Sequence, residues 1–309
     1  MLSRRSVRIK VMQTLYALNC DQELTFENAK KTYWKSIERS YHLLLFNLYV
    51  LTEITQRALD DGKKRKSKHL PSDLDKIFTP KLYNNELIQS LSNSTSLNKE
   101  FERLGFTNSV DIDLFKKMYI AFTKKDEYGD YLKDKNGSHI DILLELYRFC
   151  RSNEIFTEIM EDGFVNWSDD KSLVIGALKK CLKSLPSEDK DFYKSHYPDA
   201  ETVKEYGEAL LIKTYNDDES LLELIKPLLK NWDHDRLAVI DMILIKMAIV
   251  EMLNFATIPT KVTLNEYVEV SKMYSTPKSK DFINGVLDKI LKDLTEEGKI
   301  VKKGRGLVE

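Results

Sequence analysis

The stretch Asp235-Arg236-Leu237-Ala238-Val239-Ile240-Asp241-Met242-Ile243-Leu244-Ile245-Lys246-Met247-Ala248-Ile249-Val250-Glu251-Met252-Leu253-Asn254 decides the fold. It is apolar nearly all round, whereas a surface helix carries a polar face. Such a helix must be enclosed by others, so residues 235–254 are predicted to form the central helix of a bundle. Leu237 to Phe255 is apolar enough to suggest a membrane span, but Asp241, Lys246 and Glu251 would each be costly in lipid. Pro259 breaks the helix. Thr263-Leu264-Asn265-Glu266 then has the spacing of a capping box opening the next helix, and Thr276-Pro277 starts the last one, with proline early in its first turn. Phe282, Ile283, Val286, Leu287, Ile290, Leu291 and Leu294 keep a 3.6-residue period, which overrules a hairpin turn at Asn284-Gly285. Gly285 is expected to let another helix approach closely. Upstream, residues 202–215 and 220–230 also read as helices.

The whole chain has the composition for this architecture. Its 309 residues are 42% apolar and 31% charged, with only 11 Gly and 7 Pro. Few breakers among many good helix formers predict an all-α protein, and the length suits one large or two ordinary domains. The formal net charge of −1 gives no global nucleic-acid signal, so any such signal must come from local patches. Cys20, Cys150 and Cys181 are odd in number and far apart, which suggests neither a disulfide framework nor a zinc site. They are expected to be buried, reduced thiols in a cytoplasmic protein.

The N-terminus supplies the best local patch. Val7, Val11, Leu15 and Leu18 recur at helical spacing, predicting an amphipathic helix over residues 4–19. Arg4, Arg5, Arg8 and Lys10 lie on it with no acid before Asp21. Arginine suits phosphate by paired hydrogen bonds and can stack on bases. Gln13 and Tyr16 lie further along and could meet bases. Ser3-Arg4-Arg5 superficially looks like a twin-arginine export signal. Arg8 and Lys10 interrupt the place for an apolar run, so the segment is expected to be retained in the cytoplasm. The bland alternative is a solvated helix start.

A second helix is expected over residues 33–59, with Ile37, Tyr41, Leu44, Leu45, Leu48 and Leu51 as its apolar face. Asp60-Asp61-Gly62 and Lys63-Lys64-Arg65-Lys66-Ser67-Lys68 read as an exposed loop that would add only sequence-independent attraction to RNA. More helices are predicted at 111–132, 140–160 and 171–185, and the Ser/Asn stretch 90–96 looks disordered. Leu114, Phe115, Met118 and Phe122 recur at helical spacing, as do Leu143, Leu144, Leu146 and Tyr147, so the middle segment should be ordered.

No constellation for catalysis emerges. The glycine loops, nucleophile elbow and H-E-x-x-H patterns are missing. Asp233-His234-Asp235 invites a metal reading, but adjacent helical positions do not converge on one ligand, and helix capping is the better account. Asp241 and Glu251, ten positions apart on one helix, cannot form a carboxylate pair. Lys272, Lys278 and Lys280 flank a helix start where backbone N–H groups favour phosphate. Phe282 there either stacks on a base or fills the core.

Taken together, Trp232-x-x-x-Arg236-Leu237, Ile240-Asp241-x-Ile243-Leu244, Glu251, Pro259-x-Lys261-Val262-x-Leu264-Asn265-Glu266 and Ser279-x-x-Phe282-Ile283-Asn284-Gly285-Val286-Leu287-Asp288 resemble the NusB family of transcription antitermination factors. Ser3-Arg4-Arg5-Ser6-Val7-Arg8 with Gln13-x-Leu15-Tyr16 extends the resemblance to the N-terminus. It implies two packed helical bundles, an N-terminal domain over residues 1–200 that includes a helical insertion at about 63–198, and a C-terminal domain over residues 201–309. It implies a non-enzymatic, cofactor-free protein that binds boxA-type single-stranded RNA of ribosomal operons together with a small-subunit ribosomal protein, NusE, in the transcription elongation complex. Arg4, Arg5, Arg8, Lys10, Gln13, Tyr16, Lys278, Ser279 and Phe282 would face RNA. Asp241 would meet the ribosomal protein, and Glu251 with Asn265-Glu266 would hold the bundle together. The insertion could elaborate the N-terminal bundle, cover the RNA surface or offer a partner site. Similar domains precede ribosomal RNA cytosine methyltransferases, but the 15 residues after Leu294 leave no room for the catalytic domain. A protein-only adaptor is the third reading.

Overall fold

The computed structural model describes residues 1–134, 137–231 and 238–303. Among these, every regular element is helical. The chain forms two compact units, one of residues 2–37 with 198–309, the other of Met1 with 38–197.

In the first unit, α1 (Arg4–Cys20) opens at Ser3, whose side chain accepts the Ser6 N–H at 3.2 Å. Val7, Val11 and Leu15 form its buried stripe and pack it on α14 (Val239–Asn254). This is why α1 belongs with the C-terminal helices and not, as a domain boundary at 200 assumed, with the insertion. The segment expected as one helix at 202–215 is a π-helical stretch, Glu201–Glu208, running into α12 (Ala209–Asn216). Gly207 in that stretch is the close-approach glycine of the unit, because a Cβ there would overlap the Tyr33 hydroxyl and the Val7 side chain. Gly285, expected in that role, has open space around it. α13 (Asp218–Ile225) is followed by a 3-10 turn, Lys226–Asn231. α14 is enclosed as its composition requires, with Leu244, Ile245, Met247, Ala248, Ile249 and Met252 buried. α15 (Thr260–Tyr274) starts right after Pro259, three residues before the expected capping box, and α16 (Ser279–Glu296) starts two residues after Pro277. Asp233-His234-Asp235 lies outside the described residues.

α2 (Phe26–Lys66) crosses from one unit's residues into the other's. It absorbs Lys63–Lys66, which were expected in a loop. Arg65 bridges Asp61 one turn back at 3.0 Å, and the basic last turn suits the helix C-terminus. From Leu43 to Leu51 every residue of α2 is buried. Its polar member Asn47 donates to the Leu43 carbonyl at 2.7 Å and accepts from the Tyr147 hydroxyl at 2.9 Å.

The rest of the second unit surrounds this rod. The serine-rich stretch is not disordered. Asn85 and Ser94 cap α5 (Glu86–Ser92) and α6 (Thr95–Arg103), bonding the N–H groups of Ile88 and Leu97. The helix expected at 111–132 breaks into α7 (Ile112–Phe122) and α8 (Asp126–Lys133). The one expected at 140–160 breaks at Asn153, between α9 (His139–Ser152) and α10 (Glu154–Gly163), because Asn153 caps α10 through the Ile155 N–H. α11 (Trp167–Lys183) completes the unit. Cys150 and Cys181 are buried, whereas Cys20 at the end of α1 is exposed, contrary to expectation. No described helix is long and apolar enough to cross a membrane.

Candidate nucleic-acid interface

Arg8 is the least expected of the α1 cations. It follows Val7 on the inner face and is only 2% exposed, opposite a fully buried Glu251. Its Nε and Nη2 donate to the two Glu251 carboxylate oxygens at 2.8 and 2.7 Å, a paired geometry that fits the guanidinium fork. Glu251 also accepts from the hydroxyls of Tyr206 at 2.5 Å, Thr263 at 2.8 Å and Tyr267 at 3.2 Å. The Tyr206 and Tyr267 rings lie 5.6 Å from the guanidinium carbon. A buried ion pair is tolerable only when its remaining polar atoms are bonded, and here they are. Burial opposes the charge on Arg8, but the hydrogen bonds to Glu251 and the charge of that carboxylate outweigh it, so its pKa lies above the ordinary value. Burial, and then the Glu251 charge, push the Tyr206 and Tyr267 hydroxyls well above theirs.

This network locks the bundle together. It joins α1, the π-helical stretch, α14 and α15 through one carboxylate. The assignment of Arg8 to an RNA-facing role is therefore corrected, since phosphate would have to replace a buried partner. Lys10 is also buried and differs from expectation in the same way. Sequence alone held a clue: an acid at Glu251 inside an all-round apolar helix demands buried polar partners. Tyr206, Thr263 and Tyr267 carried no such mark.

Arg4 and Arg5 point outward. Their side chains are 41% and 47% exposed. Arg5 forms a paired bridge to Glu266 on α15, with Nε and Nη2 at 2.8 and 2.7 Å. The Arg5 hydrogen bond holds the Glu266 carboxyl below its ordinary pKa. Arg4 reaches Glu201 at 3.5 Å and sits over the Tyr206 ring at 5.8 Å. Ser3, Arg4, Arg5, Pro259, Val262 and Glu266 line a shallow cleft of about 470 Å³. Tyr16 is 42% exposed, and eleven residues from Arg5 it returns to nearly the same helix face, about 16 Å away. Gln13 is half-buried.

The second cluster surrounds Asp241. This carboxylate is buried in the first turn of α14 and accepts the Ser275 hydroxyl at 2.5 Å and the Ser279 hydroxyl at 2.7 Å. Ser279 Oγ in turn accepts the Thr276 N–H at 3.2 Å. Asp241 thus pins the loop before α16, and its carboxylate, expected to meet the ribosomal protein, is buried. Lys278 at the end of that loop and Lys280 in the first turn of α16 are exposed, while Ser279 is buried. Phe282 is 4% exposed and fills the core, which resolves its two readings. Among the described residues no group of His, Cys, Asp and Glu gathers as a metal site would need.

In this all-helical bundle the arginine-bearing first helix is locked by a central buried carboxylate, whose polar partners hold the helices in position. The profile of the NusB family matches residues 169–292. The transcription antitermination protein NusB of Salinibacter ruber is 41% identical over 107 residues, 35% of this chain and 67% of that protein. The NusB protein of Chloroherpeton thalassium is 46% identical over 79 residues, 26% of this chain and 37% of that protein. That of Natranaerobius thermophilus is 37% identical over 92 residues, 30% of this chain and 66% of that protein. No solved structure matches significantly. The chain belongs to the NusB family. α1 and most of residues 38–197 lie outside the matched profile.

Proposed function

We propose that this chain is a non-catalytic transcription antitermination factor that binds boxA-type single-stranded RNA along the outer face of α1. The observation that carries the reading is the outward placement of Arg4 and Arg5 on a helix whose rotation is fixed by the buried Arg8–Glu251 pair. Tyr16 offers a stacking surface on the same face, and the exposed Lys278 and Lys280 add cations at a helix start. RNA phosphate would take Arg5 in exchange for Glu266, which keeps the fork paired in the free protein. Lys10 and Phe282 contribute by packing, and Arg8 by orientation. By family likeness the RNA is shared with a small-subunit ribosomal protein, NusE, within the elongation complex. Asp241 would shape that second surface by holding the 275–279 loop.

The test is RNA binding by fluorescence anisotropy across a salt series. Arg4→Gln/Arg5→Gln should weaken a boxA-type oligonucleotide and flatten the slope of log K against log salt by roughly 0.7 per lost phosphate contact. An unchanged slope and affinity in the double variant would remove α1 from the RNA surface. Titration calorimetry with the ribosomal protein should show that each ligand tightens the other by the same factor.

A further inference from the structure

The second unit contains an apolar groove that nothing in the RNA reading uses. It encloses about 760 Å³ between the middle of α2, the loop before α7, and α10. Phe46 and Phe106 form part of its floor, and the half-buried Leu114, Ile155, Ile159 and Phe164 line its walls. At its lip Val165 is 82% exposed. A concave apolar surface open to solvent with a polar rim is the usual form of a docking site.

The rim identifies the occupant. Ile155, Glu158, Ile159 and Asp162 follow the i, i+3, i+4, i+7 spacing, so one face of α10 presents two aliphatic side chains and two carboxylates to the groove. Glu158 and Asp162 repel one another at i, i+4, and Asp162 stands in the last turn, where the helix dipole disfavours an anion. That last turn has no basic residue. No cation pairs with either carboxylate among the described residues. Asp111 adds a third acid, while Arg39 is the one charged cation on the rim among the described residues. His42 also lines the groove, and burial, then the Arg103 charge, lower its pKa, which disfavours its cationic form. The rim is therefore net acidic over an apolar floor. Local rules broken twice on one helix face, without compensation among the described residues, mark a surface shaped for something outside it.

We propose that this groove docks a cationic, amphipathic protein segment, with its aliphatic or aromatic side chains seated against Ile155, Ile159 and Phe164 and its lysines or arginines against Glu158, Asp162 and Asp111. RNA is disfavoured because the rim would repel phosphate. The groove lies wholly before residue 169, outside the residues matched to the family. It gives the insertion a recruiting role separate from the RNA surface.

The experiment uses the full chain and a fluorescein-labelled helical peptide with leucines at i, i+3, i+4 and i+7 and lysines elsewhere. Controls are the same peptide with glutamates for lysines, an oligolysine of equal charge, and an apolar dye. The basic amphipathic peptide should bind and the acidic one should not. Ile155→Ser and Ile159→Ser should each weaken it about tenfold. Glu158→Gln/Asp162→Asn, surface changes that leave the fold intact, should weaken it about threefold and reduce its salt dependence. RNA affinity should stay at the parent value in all these variants. The proposal is overturned if the peptide does not bind, if oligolysine binds as tightly, or if the Glu158→Gln/Asp162→Asn variant binds like the parent. It is equally overturned if the dye occupies the groove without competing with the peptide, or if sedimentation shows that this face joins two copies of the chain.

Discussion

Replacing Glu251 with glutamine tests the central network with almost no change of volume. In the parent, one carboxylate oxygen takes Arg8 Nη2 and Thr263 and the other takes Arg8 Nε, Tyr206 and Tyr267. An amide keeps only one oxygen, so either set loses its acceptor, and its NH2 faces a donor. Arg8 would retain a single carboxylate contact, Glu266 at 3.3 Å. Leaving a buried charge without its partner costs about 3–5 kcal/mol, a large share of a typical stability of about 5–15 kcal/mol. Urea unfolding followed by circular dichroism measures it. With two compact units, two transitions are admissible, and only the one belonging to residues 2–37 and 198–309 should move. Arg8→Met removes the charge from the other side, so Arg8→Met/Glu251→Gln should be more stable than the two single losses added together predict, by about 2 kcal/mol or more. A loss below about 1 kcal/mol for Glu251→Gln, or strict additivity, would refute the idea that the pair locks α1.

Three further outcomes follow from the packing and titration of individual groups. Gly207→Ala should cost about 1–3 kcal/mol by overpacking against Tyr33 and Val7, and a melting temperature equal to the parent's would show that the neighbours yield. At pH 8 a thiol-reactive disulfide should label Cys20 at once and the other cysteines only on unfolding, since burial pushes the Cys150 and Cys181 thiols up to about 12; rapid labelling of all of them would contradict the core described for residues 38–197. Because Arg5 depresses the Glu266 carboxyl, the bridge stabilises fully above the unfolded pKa of about 4.3 and is lost as pH falls through the lower folded value. The stability gap between parent and Glu266→Gln should therefore close on acidification, and a gap independent of pH would argue against the bridge.

The features legible in the sequence were those governed by periodicity. The all-round apolar α14 and the stripe Val7, Val11 and Leu15 announced themselves because burial repeats with the helix turn. Helix boundaries in the middle segment were not legible. Asn153 sits between two stretches with continuous apolar spacing, and only its cap bond shows that the chain turns there. The serines and asparagines at 90–96 read as disorder by composition, yet the same residue types are strong N-caps, as Ser94 is here. In the candidate site, charge type was readable but direction was not. Arg4, Arg5 and Arg8 look alike in a string, and one helix turn separates a half-exposed guanidinium from a core ion pair. The two partners of Arg8 are more than two hundred residues away, beyond any local pattern.

On the proposed RNA reading, the Arg8–Glu251 pair also determines what recognition would cost in disorder. A 17-residue helix such as α1 is marginal in water on its own, and one that ordered only on meeting RNA would surrender that ordering entropy from its affinity. Here the backbone is set at folding, so binding needs to immobilise only outward side chains. Any change that lets α1 detach for part of the time should raise the apparent dissociation constant in inverse proportion to the attached fraction, although no RNA contact is touched. Weak RNA binding in a variant of Tyr267 or Thr263 would then report occupancy of the competent state, and a stabilising osmolyte should restore it.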